Sequence, residues 1–346
     1  MGKADFHQQL LASDEFARCS LRATFFVRRL RGLRLWEAIQ EVQRLVAVSS
    51  GFVWDERGAW GIETVAWDYV ANRQMNPLLI FCHPRVISEQ PRLLLYYRTL
   101  ALLSQKGLKS LVGADVARLE AGKTERLDPE WLKKLVLAIN SILSAMIVGS
   151  ADIEPRDLAG FQFASAGSTI QGSWNNSVGS EGEAAVKTIL LNWLRAEIAQ
   201  IVWRDNTSVA YTEDSHAALI DRIAEIRVVR LKQGYHLIFS NEPDISLRDP
   251  SDLPVLAIEV KAGTDPAGAL ERLGAAMKSF ENDRNLNPRV QTVYVVRCMT
   301  PELRKRISQG GFFDQTFGLS ELLSDQRSQQ TFANLVLRSV LGKKRR

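Results

Sequence analysis

Residues 241–263 read NEPDISLRDPSDLPVLAIEVKAG, and this stretch poses a physical problem. From Pro254 the run has the Val, Leu and Ile content of a strand buried on both faces. Yet it carries Glu259 and Lys261 two residues apart. Buried charge is costly unless it is paired, hydrogen-bonded or bound to a metal. Residues two apart in a strand face the same side, so Glu259 and Lys261 project together while Ile258 and Val260 fill the other face. Upstream, Asp244 follows the strand-like YHLIFS, and Asp249, Pro250, Ser251 and Asp252 have the chemistry of a turn. A hairpin folded there brings Asp244 beside Glu259. Two carboxylates converging at a strand end make a hard, oxygen-rich site suited to Mg²⁺. An ammonium next to them can stabilise charge developing on a phosphate or hold a water for attack. The competing reading is a surface ion pair in a short motif that recurs by chance. A turn before the strand and a helix after it favour the chemical reading.

The surroundings predict the fold. EIRVVRL (225–231), YHLIFS (235–240), PVLAIEVKA (254–262) and VQTVYVVRC (290–298) are rich in β-branched residues. Between them lie a helix over about 181–201 and one opening with Asp265 as N-cap and Pro266 at its first position. The expected class is α/β, a mixed sheet covered by helices on both faces. A third acid follows from helical phase. Glu183, Val186, Leu190 and Trp193 are spaced three, four and three apart, which puts Glu183 on the stripe that packs on the sheet and leaves Glu181 off it. The alternative role for Glu183 is a favourable charge at a helix N-terminus.

Glu183 on a leading helix, Pro243-Asp244, and Glu259-Val260-Lys261 together resemble the PD-(D/E)XK nuclease superfamily. Within it, NNSVGSEGE (175–183) and AGTDPAGALERLGAAMKSF (262–280) resemble type II restriction endonucleases, with the XcyI-like branch as the sub-branch suggested. The catalytic resemblance covers roughly residues 170–300. It implies a restriction-endonuclease-like core in which Asp244, Glu259 and the Val260 position hold Mg²⁺, and Lys261 stands beside the nucleophilic water. It also implies a homodimer that cuts both strands of double-stranded DNA to leave 5′-phosphates, and a cognate DNA methyltransferase that protects host sites. A junction-resolving or repair nuclease of the same superfamily is the nearest rival. A DNA-binding regulator without catalysis is the rival from another class.

Residues 1–150 read as a mainly helical region for DNA recognition or dimerisation, and 151–346 as the nuclease core with a basic tail. LRATFFVRRLRGLR (21–34) interleaves arginines with Phe and Leu, so Arg28 and Arg31 are candidates for phosphate contact from the wet face of an amphipathic helix. SGFVWDERGAWGIETVAW (50–67) reads as brief strands or loops. SAGSTIQGSWNNSVGSEGE (165–183) is dense in Gly, Ser and Asn and reads as a loop or domain junction. Its Gln171, Ser173, Asn175 and Asn176 are candidates for phosphates or base edges. GADVARLEAGKTERLDPEWLKKLVLAI (113–139) resembles the latter half of a repressor-type helix-turn-helix. The apolar segments 91–104 and 131–148 are candidates for a dimer interface.

Composition narrows the remainder. The 346 residues are 46% hydrophobic and 24% charged, ordinary for a soluble chain. The formal charge is +5, but Arg338, Lys343, Lys344, Arg345 and Arg346 account for all of it, so any other basic surface is local. Cys19, Cys82 and Cys298 lie far apart, which points to a reduced, cytoplasmic protein without structural zinc. The first residues lack the apolar core of a signal peptide. LVLAINSILSAMIVG (135–149), interrupted by Asn140, Ser141 and Ser144, reads as a buried helix rather than a membrane span. The chain has no GxxxxGK[ST], no HExxH and no paired Cys/His cluster.

Overall fold

Apolar residues at helical spacing dominate the first 150 positions, and the chain there is helical. The helices are α1 (Glu15–Gly32), α2 (Leu35–Val48), α3 (Thr64–Asn72), α4 (Pro84–Glu89), α5 (Leu94–Leu100), α6 (Gln105–Val112), α7 (Val116–Glu120) and α8 (Pro129–Gly149). The structure is a computed structural model, and it describes residues 15–48, 51–113, 116–123, 127–150, 153–240 and 242–341. The N-terminal eleven residues read for targeting signals and the tail GKKRR lie outside the described residues.

Several expectations change here. Of the two readings of 50–67, brief strands or loops, the structure shows the second: residues 55–61 form turns that lead into α3. Trp54 and Trp60 pack edge-on against the His83 ring at 4.9 and 4.8 Å, and His83 Nε2 lies 3.0 Å from the Val53 carbonyl. The apolar helix α8 starts earlier than expected, and by length and composition it could cross a bilayer. However, Leu135, Val136, Ile139, Leu143 and Ile147 are buried along it. Between them the Asn140 amide satisfies the Cys82 main chain, accepting from its N–H at 2.7 Å and donating to its carbonyl at 3.0 Å. That pairing removes the cost of burying a polar group.

The largest departure is α9 (Pro155–Leu194), a 40-residue helix that contains all of the segment read as a loop and ends seven residues before the expected 201. Every fourth residue along it is buried: Gln162, Ala166, Ile170, Trp174, Val178, Gly182, Val186, Leu190 and Leu194. A spacing of four on a helix of 3.6 residues per turn winds about 40° per step, so the buried line spirals along α9. Arg22–Trp174 forms one compact unit and the described residues on either side of it form the other. The first twenty residues of α9 thus belong to one unit and the last twenty to the other.

The second unit is built on one eight-stranded sheet: β1 (Ile198–Trp203), β2 (Ser208–Ala210), β3 (Ile226–Leu231), β4 (His236–Phe239), β5 (Ile245–Arg248), β6 (Pro254–Lys261), β7 (Gln291–Val296) and β8 (Gln315–Gly318). The strand order is β2-β1-β3-β4-β5-β6-β7-β8. Pairing is antiparallel as far as β6 and parallel from β6 to β8. The sheet is therefore mixed, as the sequence predicts. The parallel connections run through α11 (Ala269–Ser279) with α12 (Glu281–Leu286), and through α13 (Pro301–Gly310), after α10 (His216–Asp221) in the first half. The chain closes with α14 (Leu319–Ser324) and α15 (Gln326–Leu341). Leu256 to Val260 are buried without interruption, which places β6 inside with both faces covered. The helix expected from Asp265 starts later, at Ala269. Asp265 Oδ1 instead accepts from the Ala267 N–H at 3.0 Å in a preceding turn.

Candidate active site

The hairpin β5–β6 assembles the core of the site. Asp249 Oδ1 caps its turn by accepting from the Ser251 and Leu253 N–H groups at 2.9 and 3.0 Å. The register pairs Ile245 with Ile258, which sets Asp244, one residue before β5, opposite Glu259. Asp244 Oδ2 accepts from the Val260 N–H at 2.7 Å, and Glu259 Oε2 accepts from the Asp244 N–H at 3.3 Å. Lys261 Nζ donates to Glu259 Oε1. Asp244 is 5% exposed and Glu259 1%, whereas the Lys261 side chain is 23% exposed and faces the outside. Val260 brings its main-chain N–H to the cluster.

The electrostatics are those of crowded acids. Burial pushes the Asp244 carboxyl up to about 8, and the neighbouring Glu259 and Glu183 charges push the same way. The Val260 N–H and the Lys261 ammonium oppose them only in part. A buried acid raised by like charges marks a place where a cation would be welcome. Among the described residues no group of three His, Cys, Asp or Glu closes into a ready metal cage. Mg²⁺ is commonly held by one or two carboxylates and completes its shell with water and phosphate oxygens. Asp244 and Glu259 fit such an ion.

Glu183 comes to the site for a reason that helical phase did not reveal. The buried line of α9 runs through Gly182 and Leu194, one position away from the expected Glu183 and Trp193. Glu183 is consequently half-buried. A Cβ on Gly182 would stand 2.2 Å from the Ala262 Cβ, so only glycine lets α9 pass this close to the end of β6. That approach carries Glu183 within range of Asp244. The buried Lys187, one turn on, donates to Glu183 Oε2 at 3.3 Å and lies 5.1 Å above the Phe239 ring.

Two further groups were not anticipated. Tyr294 pairs with Glu259 in the parallel register, so both face the same side of the sheet. Among the described residues its hydroxyl is buried without a hydrogen-bond partner, as is Nε of Arg272. The Arg272 guanidinium donates to the Asp265 carbonyl and lies against Gly263 and Gly268, where a Cβ would stand 3.1 and 2.7 Å from Nη1. An Arg and a Tyr separated from the motif along the chain carry no spacing signal; strand register and the two glycines reveal them.

The other sequence candidates are dispersed along helices. Gln171 and Ser173 sit on α9 instead of a loop. Gln171 Oε1 accepts from Arg22 Nη2 at 2.5 Å, and Ser173 Oγ donates to the Thr169 carbonyl at 3.1 Å. Asn175 and Asn176 are exposed on the same helix, and Arg28 and Arg31 are exposed on α1.

Comparison with known proteins agrees with this architecture. The chain is 26% identical over 273 residues to the type II restriction enzyme XcyI of Xanthomonas campestris pv. cyanopsidis, covering 76% of this chain and 75% of that enzyme. It is also 26% identical over 274 residues to the type II restriction enzyme Cfr9I of Citrobacter freundii, covering 75% and 76% respectively. The family model of the XcyI restriction endonuclease matches residues 28–334, which take in both units and every acid of the site, and the chain belongs to that family.

Proposed function

We propose that this protein is a type II restriction endonuclease that hydrolyses phosphodiester bonds at a specific double-stranded DNA sequence, with Mg²⁺ held by Asp244 and Glu259. The observation that carries the reading is the pairing of a buried, crowded Asp244/Glu259 couple with a lysine at the accessible strand end. The bound ion supplies Lewis-acid polarisation of the phosphate and lowers the pKa of the attacking water. Lys261 faces that water and phosphate, and its ammonium stabilises negative charge as the phosphorus takes on a fifth oxygen. The water oxygen remains on phosphorus, the P–O3′ bond breaks, and the products are a 5′-phosphate and a 3′-hydroxyl. Glu183, held by Lys187, fixes the field at Asp244.

Each chain carries a single set of these residues and cuts one strand. Duplex scission at a fixed position calls for a second set, which a C₂ homodimer provides on a palindromic site. Of the segment 91–104, helix α5 is buried along its whole length, while Arg92 and Leu102 on either side of it are exposed. Helix α8 exposes Leu137 and Val148. A methyltransferase that protects the same sequence follows from the reading.

Incubation of supercoiled plasmid with and without Mg²⁺ tests the proposal. Discrete linear fragments with 5′-phosphate ends, lost in Lys261→Ala while DNA binding in Ca²⁺ persists, are expected. Structure-dependent nicks or no cleavage would replace the reading with a junction nuclease or a regulator.

A further inference from the structure

Strand β7 carries a residue that packing alone does not explain. From Val293 to Val296 the strand is buried at every position, and Tyr294 is 0% exposed. Its ring shares a core with Ala269, Leu273 and Ala276 of α11 and Leu303 of α13, and it stacks on Phe313 with centroids 4.8 Å apart. A phenylalanine ring would make all of these contacts. The hydroxyl adds nothing to them, and among the described residues it has no hydrogen-bond partner. Burying a hydroxyl in that condition costs stability, so its use lies outside the packing.

Strand register points to that use. Tyr294 is the parallel partner of Glu259. Neighbouring strands lie about 4.8 Å apart, so the phenol and the carboxylate rise side by side from one face of the sheet. Glu259 is 1% exposed; Lys261 Nζ bonds its Oε1, and the Asp244 N–H bonds its Oε2 at 3.3 Å. Each carboxylate oxygen can accept more than one bond, which leaves room for a further donor. Tyr294 is kept protonated for that role. Burial raises the pKa of its hydroxyl more than the Arg272 guanidinium lowers it, and the Glu259 charge adds to the rise. In the field of these two opposite charges the O–H dipole turns its proton toward the carboxylate.

We infer that Tyr294 is a positioning residue for Glu259: when Glu259 holds a divalent cation, the Tyr294 hydroxyl donates to the same carboxylate and fixes its orientation. The inference rests on the proposed metal site and deepens it. A cation at Glu259 repels the Lys261 ammonium, which is the side chain that bonds the carboxylate in this structure. Lys261 then turns to the water and the phosphate. A neutral hydroxyl meets no such repulsion and stays with the carboxylate. Carboxylates that ligate metals are themselves held by hydrogen bonds, and losing such a partner costs about 10–100-fold in metal affinity or activity. The competing account is a buried water that satisfies the hydroxyl and has no connection with the metal.

The test is Tyr294→Phe, read by Mn²⁺ binding to the full chain without DNA. Free Mn²⁺ is followed by its electron paramagnetic resonance signal, and the uptake that persists in Asp244→Asn/Glu259→Gln is subtracted. The variant should bind at least about tenfold more weakly than the wild type. Without metal it should melt no lower than the wild type, because it loses an unsatisfied hydroxyl and keeps the ring. In cleavage, the half-saturating Mg²⁺ concentration should rise by the same factor. Unchanged Mn²⁺ affinity overturns the inference and leaves the water account. Weaker binding together with a lower metal-free melting temperature also overturns it, since the hydroxyl then serves the fold. Failure of the nuclease reading looks different. A wild type that takes up Mn²⁺, loses affinity in Tyr294→Phe and cuts no DNA keeps this inference and loses that reading. A wild type without Mn²⁺ uptake at the two acids removes both.

Discussion

Each of the two units buries carboxylates, and they treat them in opposite ways. In the helical unit Glu120 of α7 is fully matched: the bidentate guanidinium of Arg98 on α5 and the Gln105 amide occupy its oxygens. In the sheet unit Asp244 faces Glu259 with Glu183 in range, Lys261 and Lys187 each bond one of the two glutamates and neither bonds Asp244, and the Asp244 carboxyl is raised to about 8. The first arrangement is complete as folded. The second contains repulsion that a bound cation would relieve. The same chemical group therefore serves as a clamp in one place and forms the proposed reactive centre in the other, and the difference lies in whether its neighbours neutralise it.

The largest effect that can break this contrast is on cleavage. Asp244→Asn keeps an oxygen for the Val260 N–H, and Glu259→Gln keeps the side-chain shape, but each removes a charge proposed to hold the metal. Each variant should lose cleavage by at least about a thousandfold, equivalent to ~4 kcal/mol of transition-state stabilisation. Neither should melt below wild type, because each relieves like-charge crowding. Added Mg²⁺ should raise the melting temperature of the wild type and not of the double variant, since only a protein that binds the ion is stabilised by it. A variant that unfolds, or one that cleaves normally, would place these acids in the structural class with Glu120.

The clamp gives the converse case. Glu120→Leu leaves the Arg98 guanidinium buried with two of its three hydrogen bonds gone, and breaking a buried pair costs about 3–5 kcal/mol. The double variant Arg98→Met/Glu120→Leu removes both charges and should recover most of that loss. Chemical denaturation measures both. A single variant as stable as wild type would show that water satisfies Arg98 and that the network does not hold α7.

How much of this was legible beforehand depended on distance along the chain. Asp244, Glu259 and Lys261 could be read because a hairpin with a short turn sets its own register, and the period of two fixes which side chains share a face. The mixed sheet could be read from its Val- and Ile-rich segments. Helix α9 could not be read by composition. Gly, Ser and Asn are poor helix formers, and they hid a line of buried residues at a strict spacing of four. At Gly160, Gly167, Gly172 and Gly179 no neighbouring atom lies within 4 Å of where a Cβ would stand, whereas Gly182 has no room for one. Nothing in the one-dimensional pattern separates these glycines. Tyr294 was illegible because its place follows from parallel pairing across a helical crossover, and Arg272 because only its close approach to Gly263 and Gly268 places it.

Gly182 therefore offers the finest test of how the reactive cluster is held. Gly182→Ala places a methyl group 2.2 Å from the Ala262 Cβ, a contact that real side chains do not make, so α9 must move away from the end of β6. Overpacking of this kind costs about 1–3 kcal/mol, less than breaking the Arg98–Glu120 clamp. The same displacement draws Glu183 away from Asp244, so the cleavage rate should fall as well. A double-mutant cycle with Glu183→Gln separates the two consequences. If the glycine acts on the chemistry by positioning Glu183, Glu183→Gln slows the wild type but adds little to Gly182→Ala. Full additivity would mean that the helix supports the sheet and that Glu183 acts independently of how closely α9 approaches. Glu181→Gln, substituted in parallel, should change the rate less than Glu183→Gln; a larger defect at Glu181 would reverse the choice of acid.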